Sequence, residues 1–263
     1  MSARPAGRDP TLSGALQVRT LCDGVSVVFT PRAGGVSAEP FDTLNLSDRV
    51  GDDPAAVAIN RERALQAITP SARRLAWLRQ VHGTAVHMVN DLSSQTQNAP
   101  ADEAPQADAL CTRAEGVALG VLGADCAPVL LADPYARVIG AAHAGRPGMA
   151  AGVVGELVAA MTRAGADTAG MRAVIGPAIC GQCYEVPAAM RAEVGAAVPG
   201  SACTTRAGTP GIDLRAGLRG QLASLGVASI SDDARCTAES AELYSYRRDG
   251  TTGRFAGLIW LSG

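Results

Sequence analysis

The chain contains no lysine, so all 23 of its basic residues are arginines. That absence excludes a Schiff-base lysine and a phosphate loop of the Gly-rich type that ends in Lys. A phosphate bound here must be held by arginine forks, backbone N–H groups or a helix N-terminus. Together with abundant alanine, the bias reads as that of a GC-rich genome. Aromatic residues make up only 3% of the sequence, so the core must be built from Ala, Val, Leu and Ile. No apolar run approaches the roughly eighteen residues needed to span a bilayer. The opening Met1-Ser2-Ala3-Arg4-Pro5 lacks the apolar segment of a secretory signal. A formal charge of -2 gives no reason to expect nucleic acid or an anionic membrane as partner. Seven cysteines, an odd number at scattered spacings, suit reduced thiols in a cytoplasm better than a disulfide framework.

At 263 residues and 47% hydrophobic, the chain can bury a large core without disulfide staples. No internal repeat or linker divides it, which predicts a flexible lead-in over residues 1–16 and one domain over 17–263. Val25–Thr30 reads as a strand, and Gly51-Asp52-Asp53-Pro54 as the capped start of a helix over Ala55–Ile68. Leu75–Arg79 and Ala85–Val89 read as a strand pair joined around His82 and Gly83, and residues 91–107 as a solvated loop. Strands follow at Ala109–Thr112, Val117–Leu122, Val129–Ala132 and Val138–Ala142, with Asp133–Ala136 as the turn between the last two. The apolar spacing predicts helices over Met149–Arg163, Pro187–Val198 and Leu214–Leu225. Further strands fall at Ala173–Ile175, Val227–Ser231 and Phe255–Leu261, with Tyr244–Gly250 a loop before the last.

Three histidines are all the chain has. His82 and His143, with Cys126, each lie where a strand gives way to a turn, so rigid elements aim them while loops leave room for a substrate. Two neutral imidazoles and a thiolate are good zinc ligands, and three protein ligands leave a fourth position open. The spacing is long and irregular, so the same residues also read as ordinary strand ends. Cys126 with a histidine base is a sound nucleophilic pair as well. His87, among Val86, Met88 and Val89, reads as a sheet-face residue. Cys180-Gly181-Gln182-Cys183 has CxxC spacing, but no second pair answers it, and it reads as a loop with two free thiols. Cys22, Cys111, Cys203 and Cys236 read the same way. Arg247 and Arg248, beside Ser245, offer charge-assisted bonds to phosphate, and Arg61 is a further candidate.

Thr43-Leu44-Asn45-Leu46, Gly51-Asp52-Asp53-Pro54 with Asn60-Arg61, and Gln80-Val81-His82-Gly83 resemble blocks of the laccase-domain (YfiH-type) family. So do Ala124-Asp125-Cys126-Ala127-Pro128, Gly140-Ala141-Ala142-His143-Ala144-Gly145, Gly176-Pro177-Ala178-Ile179, Cys236-Thr237 and Ser245-Tyr246-Arg247-Arg248-Asp249. The blocks occur in the family's order, from about Val25 to Leu261. The resemblance implies a single-domain layered α/β/α sandwich with a mixed sheet, similar to YfiH and cytotoxic-necrotizing-factor folds. It also implies zinc held by His82, Cys126 and His143, with copper as the alternative. The implied activity is purine nucleoside phosphorolysis of adenosine, inosine and methylthioadenosine, with adenosine deamination beside it.

On this reading the partners are a small purine nucleoside and phosphate, and the protein is a monomer or weak homo-oligomer. Asp125 is the candidate for proton transfer, with Cys126 at the reacting centre. Asn45, Arg61, Gln80, Arg146, Arg247 and Arg248 are candidates for binding substrate or phosphate. The family's His-Ala-Gly-Trp-Arg-Gly becomes His-Ala-Gly followed by Arg146-Pro147-Gly148, so either Arg146 supplies the anion-binding charge from one position earlier or phosphate use is lost. The alternatives are a copper-dependent polyphenol oxidase, a Cys126-dependent hydrolase editing peptidoglycan precursors, and a binding module that has lost its activity.

Overall fold

The computed structural model describes residues 16–68, 72–90 and 104–262. The expected lead-in and most of the expected loop at 91–107 lie outside these residues; Leu16, at the boundary, is buried.

Two large mixed sheets form the centre. In the five-stranded sheet, β1 (Arg19–Cys22), β2 (Val25–Phe29), β13 (Phe255–Leu261), β6 (Gly116–Gly123) and β3 (Ala72–Ala76) lie side by side in that order. The six-stranded sheet runs β12 (Ser229–Asp232), β9 (Arg172–Ile175), β7 (Ala127–Asp133), β8 (Val138–Ala144), β5 (Ala109–Thr112) and β4 (Val86–Val89). A small ladder joins β10 (Ala202–Thr204) to β11 (Pro210–Ile212). Side-chain alternation decides the layering. Val117, Leu119 and Val121 of β6 meet Leu110, Leu130, Ile139 and Val174 of the other sheet in one cluster. Ala118, on the opposite face, packs beneath the first helix. Both faces of β6 are therefore covered, which is why it reads as an unbroken apolar run rather than an alternating one.

Helices close the two outer faces. α1 (Pro54–Ile68) lays Ala64, Leu65 and Ile68 against Leu75, Trp77, Leu258 and Trp260. Its start follows the predicted chemistry, since the Asp53 carboxylate accepts the Ala55 N–H at 2.9 Å and Pro54 needs no donor there. On the other face lie α2 (Arg146–Ala151), α3 (Val153–Arg163), α4 (Ala188–Ala197) and α5 (Leu214–Ser224). In α3 the residues Val153, Val154, Leu157, Val158 and Met161 form one apolar stripe packed on the six-stranded sheet. α6 (Tyr246–Asp249) is a single turn before the last strand. The expected layered α/β/α arrangement with mixed pairing is present, and its β layer is double.

Three local expectations are corrected. Residues flanking His82 do not form a strand pair: β3 lies parallel to β6 in one sheet, and β4 lies parallel to β5 in the other. Apolar runs report strand propensity but not the partner, and here both partners are distant in sequence. The helix expected over Met149–Arg163 starts earlier, at Arg146, and is divided at Gly152, whose φ of 89° is left-handed. Within the loop expected at Tyr244–Gly250, the Ser245 hydroxyl accepts the Arg248 N–H at 3.2 Å and caps α6.

Gly120 lies flat against the Trp77 ring, which packs in the cluster under α1. A Cβ there would stand 2.4 Å from Cζ3 of Trp77, a buried ring that fills the space. Replacing Gly120→Val should destabilise the fold by about 1–3 kcal/mol through overpacking. Urea unfolding is the measurement, and an unchanged midpoint would show that the Trp77 ring can move aside.

Candidate metal centre and its cavity

Two chain crossovers build the centre. The β3-to-β4 connection carries His82, the β6-to-β7 connection carries Cys126, and both pass from the five-stranded to the six-stranded sheet. The Gln80 side chain clasps the end of β6 as a strand would. Its Oε1 accepts the Leu122 N–H at 2.7 Å and its Nε2 donates to the Leu122 carbonyl at 2.9 Å. That clasp holds the two crossovers side by side. His143 comes from the penultimate position of β8, paired across to Pro128 of β7.

Asp108, just before β5, is fully buried and fixes the rest. Its carboxylate accepts backbone N–H groups from Val81 at 3.2 Å, His82 at 2.9 Å and Gly83 at 2.7 Å. These bonds hold His82 at a φ of 60°, a conformation that a non-glycine residue rarely adopts unaided. The same carboxylate lies 2.9 Å from Nδ1 of His143. An ionised carboxylate only accepts, so Nδ1 carries the proton and Nε2 is free to bind a cation. Burial alone would raise the Asp108 pKa, but His143 and the loop N–H groups pull it below the ordinary value.

The donor atoms of His82, Cys126 and His143 all lie within 4.8 Å of one another. His143 is buried, Cys126 partly buried and His82 exposed, so the set opens to solvent on one side. Burial would push the Cys126 thiol up, yet His143 and His82 bring it well below its ordinary value. The same pairing works against burial to raise the pKa of His143, with Asp108 adding to it. Negative charge on sulfur is thus favoured, as a thiolate ligand requires. Gly145 supplies the last condition. A Cβ there would stand 2.7 Å from the Cys126 sulfur and 2.9 Å from Nδ1 of His82. With two imidazoles, one thiolate and a carboxylate behind one imidazole, the residues fit a metal ion with an open coordination position.

A cavity of about 410 Å³ lies over this set, within the range of about 300–1,000 Å³ common for small-molecule sites. Besides His82 and Cys126, its lining includes Asp125, Arg146, Tyr184, Arg247 and Arg254. Sequence reasoning singled out Asp125, Arg146 and Arg247 but passed over Tyr184 and Arg254. Asp125 accepts the Thr237 hydroxyl at 2.6 Å, the Ser245 hydroxyl at 2.7 Å and the Arg247 N–H at 2.6 Å. Burial lowers the pKa of the Arg254 guanidinium, with Cys126 and Asp125 opposing that effect.

The other candidates lie elsewhere. Arg61 donates to the Leu46 carbonyl, pairs with Asp48 at 3.3 Å and stacks over Trp77. Asn45 bonds Ser47, Asp52 and the Arg254 N–H, while Gln80 holds Leu122 as described. Arg248 donates to the carbonyls of Thr237, Ser240 and Leu243 and pairs with Asp249. Asp108 also escaped sequence reasoning, and its only signal was an acidic residue directly before an apolar strand. The substitution Asp108→Asn should leave the fold assembled and weaken metal binding about 10–100-fold, the usual effect of losing such a partner. Competition with a chelator of known affinity measures this, and wild-type retention would remove Asp108 from the centre.

The family model described as multi-copper polyphenol oxidoreductase laccase matches residues 26–262. A Streptomyces griseus protein named purine nucleoside phosphorylase ORF3 is 53% identical over 89% of this chain and 93% of its own length. Purine nucleoside phosphorylase Rv2149c of Mycobacterium tuberculosis is 52% identical over 89% of this chain and 91% of that one. Among solved structures, YlmD from Geobacillus stearothermophilus superimposes with a TM-score of 0.85 at 32% identity, covering 93% of this chain and 94% of that one. Protein NMB0706 of Neisseria meningitidis gives a TM-score of 0.81 at 34% identity, covering 95% of this chain and 100% of the other. With nearly the whole length matched in sequence and in fold, the chain belongs to the laccase-like YfiH family.

Proposed function

We propose that this protein is a zinc-dependent purine nucleoside phosphorylase that cleaves adenosine, inosine and methylthioadenosine with phosphate and also deaminates adenosine. The observation that carries the reading is the juxtaposition of the His82, Cys126 and His143 donors with Arg146, Arg247 and Arg254 around one cavity. The names of relatives at 52–53% identity support the purine nucleoside phosphorylase part of it. Three guanidiniums suit a phosphate dianion, and Arg146, Arg247 and Arg254 are the arginines that line the cavity among the described residues. Tyr184 and Tyr246 line the same cavity and offer faces for a purine.

In phosphorolysis a phosphate oxygen bonds to the anomeric carbon of the ribose as the carbon–nitrogen bond to the purine breaks. The bonding electrons leave with the base, which takes up a proton. Such a reaction needs positioning and charge stabilisation more than a covalent nucleophile. Arg146, Arg247 and Arg254 bind the phosphate and orient it towards the ribose. When bound, zinc supplies Lewis acidity at the His82, Cys126 and His143 end of the cavity. Asp125 takes the proton-transfer role in deamination, through Oδ2, which carries the Arg247 N–H bond. Pro147 does not interfere, because the first turn of a helix has no intrahelical use for its N–H. Arg146, beside it, reaches the cavity.

The test is phosphate-dependent release of adenine from adenosine, on protein whose metal content is assayed in the same preparation. Adenine and a phosphorylated ribose are expected, with activity lost on chelation and restored by zinc. Inosine alone would leave a deaminase without phosphorolysis, and neither product from zinc-loaded protein would overturn the reading. Activity surviving full chelation would point to Cys126 as a nucleophile instead. Replacing Arg254→Gln should raise the KM for phosphate by roughly 10–100-fold, the worth of one or two charge-assisted bonds. An unchanged phosphate KM would take Arg254 out of the binding set.

A further inference from the structure

The two loops leaving β9 and β12 carry a second convergence of donors. β9 and β12 are parallel neighbours, so their C-terminal ends emerge side by side. The first loop turns tightly at Cys180-Gly181-Gln182-Cys183, where the Cys183 and Tyr184 N–H groups donate to the Cys180 carbonyl at 2.9 and 3.0 Å. From the second loop, 56 residues after Cys180, comes Cys236, whose sulfur accepts the Cys180 N–H at 3.3 Å. Glu239 follows one turn later, its N–H bonded to the Cys236 carbonyl at 3.1 Å. The donor atoms of Cys180, Cys183, Cys236 and Glu239 all lie within 4.8 Å of one another. None of the three thiols is in a disulfide.

From this geometry we infer that Cys180, Cys183, Cys236 and Glu239 form a second, structural metal site that takes zinc in tetrahedral coordination. Four donors fill a tetrahedron and leave no position for substrate, the mark of a structural rather than a catalytic site. Zinc–sulfur bonds of about 2.3 Å put the sulfurs about 3.8 Å apart. The present upper limit of 4.8 Å between donor atoms stands about 1 Å above that spacing. The surroundings supply the outer bonds such a site uses. The Cys180 N–H points at the Cys236 sulfur, and Arg206 donates to Oε1 of Glu239 at 2.6 Å, orienting the carboxylate and offsetting part of the negative charge.

The site is separate from the His82, Cys126 and His143 set, and it does not depend on which reaction occurs there. It acts on the cavity wall through its neighbours in sequence. Tyr184, next to Cys183, lines the cavity. Thr237, next to Cys236, donates to Asp125 and accepts from Arg248. Zinc would fasten the two loops to each other and hold those contacts in register.

The deciding experiment is zinc content and zinc X-ray absorption on the full wild-type chain, purified anaerobically with zinc present and then dialysed. Two zinc ions per chain are expected, one for each donor set. One thiolate in the first set and three in the second should average two sulfur ligands per zinc. His143→Ala should leave one zinc with about three sulfurs around it, and Cys183→Ser one zinc with about one sulfur. A single zinc per wild-type chain with one sulfur ligand would overturn the inference. So would a disulfide among the three cysteines, found by peptide mass mapping of the anaerobic protein. Neither readout uses turnover, so a failure here is distinct from a failure of the nucleoside assay.

Discussion

One buried carboxylate holds the centre together. Asp108 binds three consecutive N–H groups of the His82 loop and one nitrogen of His143, joining two candidate ligands that stand far apart in sequence. A charge in such a position is costly unless every lone pair is used, and here the donors are numerous enough to favour the ionised form. The same bonds orient both imidazoles, fix the tautomer of one of them and hold a strained backbone conformation. Without this carboxylate, His82 would ride on an ordinary flexible turn and His143 would have no reason to present Nε2. The imidazoles that Asp108 positions are in turn what lowers the pKa of the Cys126 thiol against its burial.

A second constraint organises the opposite wall. Asp125 gathers the Thr237 and Ser245 hydroxyls and the Arg247 N–H, tying the loop after β12 and the cap of α6 to the residue beside Cys126. Ser245 therefore serves two elements at once: its hydroxyl donates to Asp125 and accepts the Arg248 N–H. Arg248 completes the wall by saturating three carbonyls. Of the two adjacent arginines, one builds the wall and the other faces the cavity.

Much of this was legible in the sequence, for stated physical reasons. β5 and β13 fall where their apolar runs predict, and α1 begins at its acidic cap. His82, Cys126 and His143 stand out in the sequence because each lies where a predicted strand gives way to a turn, and their donor atoms converge, although His82 sits in a connection well clear of either flanking strand. What remained hidden was pairing at long range. The segments flanking His82 have the patterning of a hairpin, yet they belong to different sheets, because periodicity carries no information about partners. Asp108 looked like one more acidic residue at the end of a polar segment. Arg61 and Arg248 looked available for phosphate because sequence shows a charge but not the carbonyls waiting for it. Cys180 and Cys183 looked like an unanswered pair because Cys236, whose sulfur accepts the Cys180 N–H, comes from the loop after β12, 56 residues further on.

The two crossovers that carry His82 and Cys126 have a consequence for how the molecule assembles. Each ligand sits on the thread between two sheets, while His143 belongs to one of them. Neither sheet alone contains the centre, which comes into being only when the two inner faces have closed on each other. A cation held by all three donors would therefore bind only to the closed pair of sheets. Bound there, it would act as a latch across the seam, adding its binding free energy to the cohesion of the two layers.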